Sequence, residues 1–222
     1  MIIAAAAFDF GPWIIALELF LLAALVVMTV LIYRNRRYLK RERGVTETLG
    51  PDQGMSIQEL VDRARKENPH IPLNIILGSG SYNIEEGVKI SSTVRFQGAS
   101  VEKTRIVSSK GHPAVTIQDA KNCSISDVRV EGSVQCRRGE VTLKNCHIVA
   151  KEDGICIEAY DNSIITFSGA ISGEGGVAIR AKGESKVFLK PPYALSGDDF
   201  ILVDPKSRIA IEDRMEPPPA QI

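Results

Sequence analysis

The chain has no net charge and few cysteines or aromatic residues. Its 27 Lys and Arg balance 27 Asp and Glu, aromatic residues make up 6%, and there are four Cys in 222 residues. Balanced charge argues against a nucleic-acid-binding protein. Four cysteines without a CxxC spacing argue against a small disulfide scaffold and against a zinc site. His70, His112 and His147 are far apart in sequence, so we expect no metal centre, and nothing predicts a cofactor.

One long apolar segment stands out near the start of the chain. Residues Trp13 to Tyr33 read WIIALELFLLAALVVMTVLIY. As a helix this segment would span roughly 31 Å at about 1.5 Å per residue, enough to cross a hydrocarbon core. A cleaved signal peptide is the alternative, but it needs a basic start, and residues 1–12 contain no Lys or Arg. The segment predicts a single transmembrane helix over 13–33.

A run of basic residues follows the apolar segment and sets its orientation. By the positive-inside rule, residues 1–12 lie outside, residues 13–33 span the inner membrane of the cell, and residues 34–222 lie in the cytoplasm. The run acts as a topology signal alone or also binds anionic lipid headgroups, at about 1 kcal/mol per cation. Its members are Arg34, Arg36, Arg37, Lys40, Arg41 and Arg43.

Glu18 is the one carboxylate inside the apolar segment. A carboxylate within a membrane span is a candidate functional residue because its burial is costly. Glu18 either reaches the nearby outer interface or contacts another membrane subunit.

A linker and a short helix follow. Residues 34–55 read as a basic juxtamembrane segment and linker, since 44–55 contain three glycines and a proline. Ser56 and Glu59 then fit a capping box, which predicts an amphipathic cap helix over 56–68. Its apolar stripe consists of Ile57, Leu60, Val61 and Ala64.

From residue 69 to 214 the apolar residues alternate in short segments that recur every 22 residues or so. Equivalent strands are predicted to begin at Val115, Val134, Ile155, Val177 and Ile201, in steps of 19, 21, 22 and 24 residues. No helical pattern intervenes, so the repeat favours a parallel β-helix of about five to six coils over other repeat folds. Asn122, Asn145 and Asn162 are candidate turn residues. A Pro-rich tail follows over residues 215–222, and we expect the last strand and this tail to close the far end of the solenoid.

The alternation also predicts where the four cysteines lie. Cys123, Cys136 and Cys146 fall at inward positions and Cys156 at an outward position. Small buried thiols are ordinary core residues and fit a reducing compartment.

The stretch from residue 56 to 108 resembles the opening of right-handed β-helix proteins of the pectin lyase-like superfamily. The resemblance covers about residues 56–214 and implies that the amphipathic helix caps the first coil. It is carried by a turn and strand pattern at Gly80, Tyr82, Glu85, Gly98, Thr104 and Ile106.

The same superfamily contains many polysaccharide-active enzymes, so two carboxylates are weak catalytic candidates. Asp199-Phe200-Ile201-Leu202 is faintly similar to a pectinesterase segment, and Asp153-Gly154-Ile155 is similar to part of a polygalacturonase motif. A glycosidase needs two carboxylates at a fixed separation across one bond. The partner residues of both motifs have no match in this sequence, so we expect no catalytic residues and no enzyme.

These observations favour a single-pass, membrane-anchored β-helix that acts as a non-catalytic scaffold or assembly subunit. Its expected partners are the lipid membrane and proteins, or a larger membrane complex. After the six cations and three acids of residues 1–43 are removed, 21 basic and 24 acidic groups remain, which again excludes nucleic acid. The alternative is a polysaccharide-binding or polysaccharide-active β-helix of lyase, esterase or hydrolase type.

The predicted orientation can be tested by labelling. We expect a single cysteine introduced at an exposed position of the β-helix to be protected from a membrane-impermeant maleimide in intact cells. The same cysteine should react in lysed cells. Reaction in intact cells would place the domain outside and contradict the charge argument.

Overall fold

The chain divides into two compact units, 1–43 and 44–222. The structure, a computed structural model, describes residues 20–22, 25–32, 44–109, 112–150, 154–173, 176–196 and 199–211. In the first unit, residues 20–22 and 25–32 are helical. Among the residues described, no helix has the length and apolarity needed to span a membrane. The structure describes 11 of the 21 residues of the predicted span over 13–33, and the transmembrane helix is not confirmed by them.

The second unit combines one described helix with 17 strands. In chain order its elements are β1 (Val45–Leu49), α1 (Ile57–Glu67), β2 (Leu73–Leu77), β3 (Gly80–Ile84), β4 (Val88–Ile90), β5 (Val94–Gln97), β6 (Thr104–Ser108), β7 (Val115–Gln118), β8 (Cys123–Ser126), β9 (Arg129–Glu131), β10 (Val134–Arg137), β11 (Glu140–Ala150), β12 (Ile155–Tyr160), β13 (Ile164–Gly173), β14 (Val177–Ala181), β15 (Lys186–Ser196), β16 (Asp199–Val203) and β17 (Arg208–Ile211).

These strands wind into a parallel β-solenoid of about six turns with three faces. Face 1 is formed by β1, β2, β5, β8, the first halves of β11, β13 and β15, and β17. Face 2 is formed by β3, β6, β9 and the second halves of the same three long strands. Face 3 is a separate six-stranded sheet in the order β16-β14-β12-β10-β7-β4. The prediction of a parallel β-helix with five to six coils is confirmed.

The core runs along the axis of the solenoid because alternate residues of each strand point inward. In β5, for example, Val94 and Phe96 are buried while Arg95 and Gln97 are exposed. Inward residues align with inward residues one coil away, at the spacing of about 4.8 Å between neighbouring strands. Such ladders make each coil the packing surface of the next coil.

The predicted register on face 3 is displaced by two residues in part of the repeat. Val134 lies opposite Ile157, and Ile201 lies opposite Ile179, so Ile155 and Val177 are not the equivalents of Val134 and Ile201. Because side chains alternate with period two, a shift of two keeps the same side chains inward. Ile157 and Ile179 are accordingly buried as predicted, although the strand alignment is wrong.

The three candidate asparagines all adopt positive φ, with values of 55°, 50° and 63° for Asn122, Asn145 and Asn162. They do not stack as one set. Asn145 lies at the bulge between faces 1 and 2, where its Nδ2 donates to Asp127 over 2.7 Å. Asn122 and Asn162 lie at the corner between faces 3 and 1. The same residue type serves two corners because Asn tolerates left-handed backbone wherever a turn needs it.

Cys156 is fully buried, so its predicted outward position is wrong. Cys156 and Ile157 are both buried although they are consecutive. The strict alternation fails near the start of β12, where the chain enters face 3 from a corner.

The predicted linker over 34–55 contains a strand. Residues 45–49 form β1, which pairs in parallel with β2 from Val45 opposite Leu73 to Leu49 opposite Leu77. Glycines and a proline surround this short alternating segment and obscure it in the sequence. The solenoid therefore begins before residue 69, on the N-terminal side of α1.

A helix is found at the predicted place, and its N-terminus has the expected capping box. The Ser56 hydroxyl accepts from the Glu59 amide over 3.1 Å, and a Glu59 carboxylate oxygen accepts from the Ser56 amide over 2.7 Å. The apolar stripe of α1 is buried together with the solenoid core. Arg65 also donates to the Thr93 carbonyl over 2.8 Å, which ties the helix to the second coil.

A glycine at the bulge of face 2 offers a test of the winding. Gly169 has a φ of +145°, and a Cβ there would collide with the backbone of Cys146 one coil earlier. We expect Gly169→Ala to lower the free energy of unfolding by at least about 2 kcal/mol, measured by urea denaturation and circular dichroism. Gly50→Ala is the control, because its Cβ would meet only the flexible side chain of Gln53 at 3.5 Å. Equal stability of the two variants would contradict the described close approach.

Candidate functional site

Most of the residues predicted to carry function lie where the structure does not describe them. Glu18, Asp153 and the six cations from Arg34 to Arg43 are outside the described residues. Asp199 is the first residue of β16, opposite Val177. The described residues therefore bring together no pair of carboxylates that includes a predicted catalytic candidate.

The histidines and cysteines form no common site in the described part of the chain. No group of three or more metal-ligating side chains occurs among those residues. His147 lies on face 2, where its Nε2 is 3.0 Å from the Ser172 hydroxyl. Burial and the nearby Arg129 lower the pKa of His147.

All four cysteines are unpaired and buried. Burial raises the pKa of Cys136 and Cys146 to about 12 and that of Cys156 to about 11. The pKa of Cys123 is raised for the same reason. Thiols of this kind carry almost no thiolate at neutral pH and are poor nucleophiles.

The outer surface of face 3 carries one row of mostly polar side chains, one from each coil. From the first coil to the last this row contains Lys89, Thr116, Gln135, Glu158, Arg180 and Leu202. Glu158 accepts from Gln135 Nε2 over 3.2 Å and from the Tyr160 hydroxyl. Burial and Glu158 raise the pKa of Tyr160, and the Arg137 guanidinium lies 5.9 Å from the Tyr160 ring centre. The Glu158 carboxylate is therefore already hydrogen-bonded to neighbouring side chains.

A second set of carboxylates follows the corner between faces 3 and 1. Arg138 donates from Nε to Asp119 over 2.7 Å and from Nη2 over 3.1 Å, and this hydrogen bonding lowers the pKa of Asp119. Arg137 Nε is 3.1 Å from Asp161. Asp204 accepts from the amides of Gly183 and Ser207 over 2.6 and 2.7 Å. These acids tie adjacent coils together, although exposed ion pairs contribute little stability.

The last strand of face 3 differs from all the strands before it. β16 pairs with β14, and no other strand in the described part of the chain pairs with its second edge. Ile201, Leu202 and Val203 are 39%, 40% and 41% exposed, whereas Ile179 and Ala181, the inward residues one coil earlier, are 0% exposed. β16 thus shows apolar side chains on both sides next to unpaired backbone.

The first strand of the solenoid is protected in a way that β16 is not. β1 also has one open edge, since it pairs only with β2 among the described strands. However, Glu47 stands at an inward position of β1, opposite Ile75, and lies 3.6 Å from Arg63 of α1. A charged residue at an inward position of an edge strand discourages the addition of further strands. β16 also begins with a charged residue, Asp199, so the two ends differ in the exposure of their described apolar side chains and in the Glu47–Arg63 pair.

Sequence reasoning interprets Asp199 to Leu202 as a weak catalytic motif and misses this edge. The apolar character of the strand, though not its lack of a neighbour, is visible in the sequence, because Phe200 to Val203 are four consecutive apolar residues in a chain whose other strands mostly alternate. An uninterrupted apolar run at the end of a repeat indicates a strand that is apolar on both sides.

No family model, no curated protein and no solved structure matches this chain.

The burial of the cysteines predicts their reactivity. In the folded chain at pH 8, we expect none of the four thiols to react quickly with a maleimide, because the raised pKa values keep them protonated and their sulfur atoms are covered. All four should react once the chain is unfolded in urea. Rapid modification of the folded chain, measured by mass spectrometry, would contradict the described burial.

Proposed function

We propose that the chain is a non-catalytic scaffold or assembly subunit that docks protein through the C-terminal end of its solenoid. The observation that carries the proposal is the edge of β16 that no described strand covers, with Ile201, Leu202 and Val203 about 40% exposed. A contiguous exposed apolar patch at an open sheet edge is typical of an interaction site. Strand addition to such an edge is a common way to bind an extended partner segment.

The N-terminal end has the opposite role in this proposal. α1 acts as its cap, as the resemblance to the right-handed pectin lyase-like superfamily implies, and its outer surface is polar. Residues 13–33 tether the domain to the inner membrane with the solenoid in the cytoplasm, and Arg34 to Arg43 lie beside the anionic headgroups. Glu18 contacts a membrane subunit of the same assembly. Tethering one end leaves the other end, with β16, available to partners.

The proposal of a non-catalytic role is supported by the contacts that the described carboxylates make on face 3 and at its corner with face 1. Glu158, Asp119, Asp161 and Asp204 each accept hydrogen bonds or pair with arginine. A general acid and base pair for glycoside cleavage would need two carboxylates placed across one sugar linkage. Holding adjacent coils together is a sufficient role for these side chains.

A polysaccharide-binding protein is the second candidate function, and one observation favours it. The outward row on face 3 places Thr116, Gln135, Glu158 and Arg180 on successive coils beside the Tyr160 ring. Regularly spaced hydrogen-bonding groups beside an aromatic ring suit a linear sugar chain. Titration of the native chain with oligosaccharides, monitored by its intrinsic fluorescence, would detect such binding. A Tyr160 variant serves as the control.

The docking role can be tested with two matched substitutions in the full chain, in native membranes. Leu202→Glu places a charge at the β16 edge and should reduce the size of the native complex, measured by sedimentation after mild solubilisation. Ile76→Glu is the control, because Ile76 is 41% exposed on an outward position of β2, far from β16. Complexes of equal size in both variants would contradict docking at the C-terminal end.

A further inference from the structure

The outer surface of face 1 carries an excess of cations. Among the described residues, the strands of this face place one acidic residue, Glu140, and five basic residues at outward positions. The chain from residue 44 onwards has 21 basic and 24 acidic groups, so the cations are segregated onto this surface. All five are exposed, and they are Arg95, Lys144, Lys186, Lys190 and Arg208.

Two of these cations are direct neighbours on adjacent coils. Lys186 lies opposite Arg208 in the register of β15 and β17, at the strand spacing of about 4.8 Å. Like charges placed directly opposite each other on a sheet are destabilising. No ion pair in the described part of the chain includes either side chain. The solenoid itself therefore does not compensate this repulsion, whereas a bound anion would.

The other close pairs of charges on neighbouring coils are compensated within the solenoid. At the corner between faces 3 and 1, Arg138 pairs with Asp119 of the coil before it. On face 2, Arg129 lies opposite Arg105, but its Nε donates to Glu131 over 3.0 Å. The pair of Lys186 and Arg208 differs from these because it has no such carboxylate.

The corners on either side of face 1 do not cancel its charge. Glu184 is exposed just before β15, and Asp204 precedes β17, where its carboxylate accepts from three backbone amides. Lys182 and Lys206 stand in the same corner and balance these two acids. At the other margin, Asp127 accepts from a side-chain amide over 2.7 Å. The excess of cations on the outer surface of face 1 therefore remains.

We propose that face 1 binds the anionic headgroups of a lipid bilayer. The inference rests on the proposed membrane tether, which presents headgroups to the domain at a high effective concentration. Cations close to an anionic leaflet are attracted by its surface potential. The outward side chains between the cations are mostly short, as at Thr142, Thr166 and Ser168, so the surface can approach many headgroups at once.

Apolar side chains among the cations favour lipid over other polyanions. Ile164 lies opposite Lys186, and Phe188 follows two residues later on the same outer surface, and both are half-buried. Aromatic and aliphatic side chains flanked by basic residues suit the boundary between headgroups and acyl chains. A nucleic acid would instead meet a domain with more acidic than basic groups, which opposes its binding.

Fluorescence quenching of the full chain in reconstituted vesicles tests the proposal. The four native cysteines are buried, so Thr166→Cys adds one reactive thiol on face 1, and Thr116→Cys adds one on face 3. Both threonines are half-buried at outward strand positions, which makes them a matched pair. Each thiol is labelled from outside the vesicles with a polarity-sensitive maleimide dye.

Vesicles of phosphatidylcholine alone are compared with vesicles that also contain phosphatidylserine. We expect phosphatidylserine to reduce the quenching by acrylamide several-fold at position 166 and to leave it unchanged at position 116. The same change at both positions, or no change at position 166, would overturn the proposal.

Charge reversal on one face tests which cations are responsible. Lys186→Glu should weaken the shielding of position 166 by at least about five-fold, the effect of losing one cation near the headgroups. High salt should act in the same direction. Lys89→Glu is the control, because it makes the same charge change at an exposed outward lysine of face 3. Equal loss in both variants would show that only the net charge matters and would overturn the assignment to face 1.

Flotation of the chain with vesicles separates this inference from the tether. If the chain floats with phosphatidylcholine vesicles in high salt, but phosphatidylserine does not shield position 166, the tether stands and lipid binding by face 1 is wrong. If it floats only with phosphatidylserine, and Lys186→Glu but not Lys89→Glu abolishes flotation, face 1 binds lipid and the tether is wrong. Shielding of position 166 in native membranes but not in phosphatidylserine vesicles would indicate a protein on face 1 and overturn the proposal.

Discussion

The stacking of each inward side chain on its counterpart one coil away is the interaction on which this molecule depends. Phe167 of β13 lies between Leu143 of β11 and Leu189 of β15, and all three are buried. At about 25 cal/mol per Å² of apolar surface, one such side chain contributes roughly 1.5–3 kcal/mol. No coil can bury its inner side alone, so the corners, the bulges and both ends are shaped by the need to keep coils in register.

The corners show how polar residues serve this stacking. The turn between faces 3 and 1 recurs at Asp119, Arg138, Asp161 and Gly183, all at positive φ. Asp119, Arg138 and Asp161 then join successive coils through side-chain contacts. Carboxylates that could suggest catalysis in a sequence are part of the connection between turns. These described side chains are therefore engaged in structural contacts between coils.

The sequence was sufficient to predict the repeating strands of the solenoid, but it did not predict the places where the alternation breaks or where a strand lies at an edge. Alternation identified the strands and the inward residues because period two is set by the backbone and tolerates an alignment error of two. It failed for Cys156, where a corner buries two residues in succession, and for β1, which glycines and a proline conceal. It also failed for β16, because the composition of Ile201 to Val203 does not reveal that the solenoid lacks another described strand beyond it. Whether an edge is covered depends on three-dimensional stacking, which no single segment encodes.

The unlike ends have a consequence for how the chain is made. Synthesis proceeds from the N-terminus, so α1 and β1 leave the ribosome before any other part of the solenoid, and local units can fold as they emerge. The protected end can then act as a template on which each new coil is laid as it is translated, with contacts that reach back only about one turn. β16 is the last strand of face 3 to appear among the described residues. Its exposed side chains therefore become accessible only after the earlier described coils have been translated.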